Sequence, residues 1–157
     1  MLRSLLIFIL LPLSLQAQIK IDHAGDFWEI KVQDALDKIK NIDSTYYNLI
    51  VQSCDNISFW NGNFSTNSGG GINQRGTIII ARKDILLDDI DNLCAVLVHE
   101  SVHLQILIAG RNFSEAREEF ICYSVELEYL RKVPNVKSYL IQHAESQIAK
   151  NRALLGN

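Results

Sequence analysis

Proline and cysteine are scarce in this 157-residue chain, which holds 2 Pro, 8 Gly and 3 Cys. So little Pro and Gly excludes a collagen-like repeat. An apolar fraction of 48% beside 21% charged residues excludes a disordered tail or a coiled-coil rod. An excess of basic charge is missing too. With 15 Lys and Arg against 18 Asp and Glu the formal charge is −3, so no nucleic-acid partner is expected. Three cysteines do not make a disulfide framework. The run Gly69-Gly70-Gly71 lacks the Lys-Ser/Thr and the following helix of a phosphate-cradling loop, so no nucleotide site is expected. There is no internal repeat and no low-complexity tract.

A hydrophobic run long enough to span a bilayer is also absent. Leu5 to Leu15 is apolar, but about 11 residues rise only about 16 Å as a helix, well short of a membrane core. Arg3 stands before this run and Leu15-Gln16-Ala17 after it, so residues 1–17 read as a secretory signal peptide cleaved after Ala17. The expectation is an exported chain, periplasmic or secreted, with no stable membrane span after cleavage. No Cys near the cut offers a lipid anchor. Residues 18–157 then suit a single domain with one modest core. In an oxidising compartment an odd cysteine count leaves at least one thiol without an intrachain partner. Cys94 and Cys122 sit in apolar helical patterns and read as small buried hydrophobes, whereas Cys54 has no evident place.

The remaining pattern predicts an α+β fold. Phe27, Ile30, Val32, Leu36 and Ile39 recur at helical spacing between Asp26 and Lys40, which predicts a first amphipathic helix. The short β-branched and aromatic runs Tyr46 to Ser53 and Thr77 to Ala81 predict strands, with a long Gly/Asn/Ser-rich mobile loop over 61–76 between them. Tyr46-Tyr47 and Phe59-Trp60 read as core aromatics, and His23 as a surface residue near a loosely anchored N-terminus. After the acids Asp88, Asp89 and Asp91 comes NLCAVLVHESVHLQILIAG, apolar nearly all round. It predicts a central buried helix that stops at Gly110. Ser114 can cap the next helix, which should end before Pro134, and a last helix should run from about Val136 to Leu155.

Within the buried helix stands His99-Glu100-Ser101-Val102-His103. Residues i and i+4 lie about 40° apart on a helix, so both imidazoles can reach one metal ion, while Glu100 projects about 60° further round. With 4 His among 157 residues, chance supplies roughly 0.005 such pentapeptides. Two imidazoles and a carboxylate in the most apolar helix need partners, because a bare buried carboxylate costs several kcal/mol. A zinc ion meets that need. The alternative is a pair of core histidines bonded to backbone carbonyls, with Glu100 at the surface.

On VLVHESVHL the chain resembles the HExxH zinc metallopeptidases, the zincins. The extended metzincin motif needs a further His soon after the pentapeptide, and LQILIAGRNF contains none. The resemblance therefore points to the gluzincin branch, whose third ligand is a Glu from a following helix. Among Glu115, Glu118 and Glu119, the element EEFICYSVE favours Glu119, with Glu118 as runner-up. The resemblance implies a small zincin-like domain: a short antiparallel or mixed sheet packed on the HExxH helix, plus two further C-terminal helices. It implies Zn2+ as cofactor, held by His99, His103 and Glu119, with Glu100 as general base and a peptide or protein as substrate. It also implies a cleft edge formed by the strand ahead of the helix, Thr77 to Arg82. Tyr123, Tyr139 and His143 are candidate oxyanion donors, and Glu126 a candidate acceptor behind a zinc histidine. A deformylase-type site would instead use an upstream Cys, but the surroundings of Cys54, QSCDN, do not match that motif. Outside enzymology the same helix would serve a zinc-binding, non-catalytic or surface-binding module.

Overall fold

Val32, Leu36 and Ile39 turn inward from α1 (Asp26–Ile42), joined by Ala35, whereas Phe27 and Ile30, expected on the same apolar pattern, fall on another side of the helix and are exposed. The computed structural model describes residues 19–22, 26–60, 70–73, 76–81 and 89–156. The expected signal peptide 1–17, together with His23, Arg82 and Asp88, lies outside them. Within the described residues the chain is α+β, with five helices and one four-stranded mixed sheet.

The stretch Tyr46 to Ser53, expected as a strand, belongs to a second helix, α2 (Ser44–Ser53). Its β-branched residues favour a strand only weakly, and two features outweigh them. Asp43 caps the helix, its side chain accepting from the Thr45 N–H at 2.8 Å, and Tyr46, Ile50 and Ser53 fall on one buried face at helical spacing. The Tyr46 ring meets Tyr129 edge-on at 5.3 Å.

The sheet runs in the order β1 (Lys20–Ile21), β2 (Asn56–Trp60), β4 (Thr77–Ala81), β3 (Gly70–Asn73). The pairs β1/β2 and β2/β4 are parallel, and β3 is antiparallel to β4. Two expectations fail here. The segment 61–76, expected as one loop, contains the strand β3, whose Gly70 pairs with Ile80 and Asn73 with Thr77. And β4, expected as the cleft edge, is interior, flanked by β2 and β3, so that β3 holds the edge. The near-continuous apolar run TIIIA, with Thr77, Ile78, Ile80 and Ala81 buried, is what a strand covered on both faces needs. In β2, Phe59 is half-buried against Trp28, but Trp60, expected in the core, is exposed.

The apolar motif segment forms α3 (Ile90–Ile108), capped by Asp89, whose side chain accepts from the N–H groups of Asp91 and Asn92. Its end is a Schellman turn: Gly110 at φ 61° donates to Leu107 and Arg111 donates to Ile106. Ser114 caps α4 (Glu115–Leu130) as expected, and α5 (Ser138–Leu155) follows. Helices α1, α2 and α4 pack on α3, which meets β3 and β4 on the sheet side, and α5 packs on α4. All three cysteines are free and buried, so Cys94 and Cys122 are indeed core thiols.

Asp43 also accepts from Lys132 Nζ at 2.7 Å, tying the start of α2 to the end of α4. The Lys132 hydrogen bond, joined by that from Thr45, holds its carboxyl down at about 2. A lowered pKa means that the contribution is complete above the ordinary value of 3.8 and fades as pH falls toward about 2. Asp43→Ala should therefore cost about 1 kcal/mol in urea unfolding near neutral pH, and less at about pH 3. An equal loss at both pH values would contradict this.

Candidate metal centre

The turn through Gly110 and the Ser114 cap set α4 against α3, so that one face of α4 looks onto the two motif histidines. That face carries Glu118, Glu119, Cys122, Tyr123 and Glu126. Residues 119 and 126 are seven apart, only about 20° out of phase on a helix.

His99 Nδ1–H donates to Glu126 Oε2 at 2.8 Å, and His103 Nδ1–H donates to Glu118 Oε1 at 2.7 Å. With both Nδ1 atoms committed to carboxylates, each ring would present a bare Nε2 once neutral. The two Nε2 atoms lie 3.2 Å apart. Glu119 completes a triangle with them, Oε2 lying 3.6 Å from His99 Nε2 and Oε1 lying 3.4 Å from His103 Nε2. Glu119, the favoured third donor, is thus the carboxylate that faces both Nε2 atoms. Glu118, the runner-up, orients His103 instead. Glu126, expected behind a histidine, stands behind His99. Only Glu115 remains an exposed helix-terminal acid.

Electrostatics bind the cluster tightly. Burial pushes the His99 pKa down, but hydrogen bonds to Glu119 and Glu126 outweigh it and hold the ring up at about 10. His103 is likewise depressed by burial and raised, on balance, by Glu119 and Glu118. Burial works to raise the Glu119 carboxyl, yet its hydrogen bonds with His103 and His99 keep it down at about 2. Two imidazolium N–H groups cannot point at each other across 3.2 Å, so at most one Nε2 carries a proton. A tetrahedral ion bound at about 2.05 Å to two imidazoles sets their nitrogens about 3.3 Å apart, close to the spacing found. Two nitrogen donors, one anionic oxygen donor and an acceptor behind each ring fit zinc.

Glu100 is buried on the same helix, and its carboxylate accepts no hydrogen bond from any described residue. Burial pushes its pKa up, against the opposing pull of His99 and His103. The edge strand comes very close to it. A Cβ placed on Gly70 would lie 3.0 Å from Val96 Cγ1 and 3.1 Å from Glu100 Oε1, so any larger residue would press on both side chains at the present spacing of β3 and α3.

The Tyr123 ring stands edge-on to His99 at 4.4 Å, and the exposed His143 packs on Tyr123 at 5.8 Å. Tyr139, expected near the site, hydrogen-bonds Asp89 at the start of α3 and is occupied there. Cys54 is buried with its thiol donating to Asn56 O at 3.1 Å, whereas Cys122 presents its sulfur to His99 and His103. Sequence reasoning missed three features: Glu118 as the partner of His103, the Gly70 contact with Glu100, and the place of Cys122. The spacing of Glu118, Cys122 and Glu126 at successive intervals of four was the available signal for a shared face.

The chain matches no protein-family model, no curated protein and no solved structure.

Gly70→Val should force β3 away from Val96 and Glu100 and destabilise the fold by about 1–3 kcal/mol, read as a lower denaturation midpoint. An unchanged midpoint would show that β3 does not press on α3.

Proposed function

We propose that this chain is a zinc-dependent hydrolase of peptide bonds, with His99, His103 and Glu119 as metal ligands and Glu100 as general base. One observation carries the reading: two Nε2 atoms 3.2 Å apart converge with the Glu119 carboxylate, while Glu126 and Glu118 hold the far side of each ring. The core-histidine alternative fails on the same contacts, because the rings bond carboxylates and Glu100 is buried.

A bound zinc ion would supply Lewis acidity to a scissile carbonyl and lower the pKa of water toward neutrality. The chain's own residues do the rest. Glu126 and Glu118 fix the tautomers that leave both Nε2 atoms free to bind. The Tyr123 ring, edge-on to His99, limits rotation of that imidazole. Glu100, one residue past His99 and free of hydrogen bonds from described residues, takes the proton of the attacking water at a carboxylate oxygen and hands it to the leaving nitrogen. A structural zinc site has no use for such a carboxylate beside its ligands.

The edge strand supports a peptide as substrate. Among the described residues β3 pairs only with β4, an edge position at which an extended chain could add, and Gly70 places that strand against Glu100. A mixed sheet with its antiparallel edge strand against the motif helix suits a zincin-like, gluzincin-type domain. The expected export signal would place the activity outside the cytoplasm.

Glu100→Gln should lower peptide hydrolysis about 10²- to 10⁴-fold while leaving bound zinc unchanged, measured with a quenched peptide library and metal analysis of the same samples. Full activity in that variant would refute the role of Glu100.

A further inference from the structure

Among the described residues that face the two histidines, Cys122 has no task in the metal-site reading. It is fully buried, forms no disulfide, and hydrogen-bonds no described residue. Yet it does not sit among apolar groups alone. One donor atom each from His99, His103 and Cys122 lies within 4.8 Å of the others. Cys122 follows Glu119 by three residues, so sulfur and carboxylate project from neighbouring positions of α4 toward the same pair of rings.

Resting on the metal-site reading above, we propose that Cys122 is a ligand of the ion held by His99 and His103, binding through its sulfur in the resting chain. Two imidazoles, a carboxylate and a thiolate make a four-donor set that selects borderline and soft d-block ions such as Zn2+, Co2+ and Cd2+ over Mg2+ or Ca2+. The sulfur–metal bond replaces the S–H bond, and the thiol proton passes to the buffer. With sulfur bound no coordination position is left for solvent. The folded chain is then latent, and hydrolysis starts only from the form in which the sulfur has withdrawn. A buried thiol suits such a latch because bulk oxidants and alkylating agents do not reach it.

The test is the absorption spectrum of the chain loaded with Co2+. Tetrahedral cobalt gives visible d–d bands, and a thiolate ligand adds a sulfur-to-cobalt charge-transfer band in the near ultraviolet. The expected result is both features in the wild type. In Cys122→Ala the charge-transfer band should vanish and the d–d bands persist, which assigns the sulfur to Cys122 rather than Cys54 or Cys94. Visible bands without the charge-transfer band in the wild type would reject Cys122 as a ligand and leave the histidine site standing. Absence of the d–d bands as well would overturn the metal site itself. The wild-type spectrum decides between these even if the variant does not fold.

Discussion

Two imidazoles one turn apart on a buried helix dominate this protein, because nothing else in the core of α3 can satisfy them. Leu93, Leu97, Val98 and Leu104 are buried on the same helix, and an imidazole left unpaired there would cost as much as any buried polar group. The answer comes from α4. It lays Glu118, Glu119 and Glu126 across the pair, two on the outer nitrogens and one facing the inner ones. Three carboxylates beside two rings, with Glu100 on the histidines' own helix, make a site whose negative charge the proposed divalent cation would balance. Carboxylates placed so close together are costly without it.

The elements beyond that hairpin serve its two sides. Asp89 caps α3 while accepting from Lys137 and Tyr139, so the start of the motif helix is tied to the start of α5. On the opposite side the sheet brings its edge strand against the same helix, and the missing side chain of Gly70 sets how near it comes. The carboxylate of Glu100 therefore lies on the histidines' own helix and close to strand β3. The proposed proteolysis rests on this juxtaposition as well as on the histidine pair.

The helices were largely legible in the amino-acid pattern, and of the sheet only β4, Thr77–Ala81, was. The caps at Asp89 and Ser114, the stop at Gly110 and the apolar periodicity of α1 act within a few residues, so their signals are local. The segment of α2 misled because its β-branched residues were outweighed by one capping carboxylate and by the packing of Tyr46 on Tyr129. Strand β3 was hidden in a polar, Gly-rich stretch, since its pairing depends on the isoleucines of β4 rather than on its own residues. In the site, His99, Glu100 and His103 followed from helical spacing. The division of labour between Glu118 and Glu119 did not, because both residues reach the cluster and the exact rotation of α4 against α3 decides which oxygen meets which nitrogen.

The most direct measurement is the zinc content of the purified wild-type chain at neutral pH after exhaustive desalting, set beside His103→Ala. Convergent histidine nitrogens and the Glu119 carboxylate predict one tightly held zinc per wild-type chain and none in the variant. A wild-type chain that retains no zinc, or a variant that retains all of it, would contradict the metal centre from which the proposed activity follows.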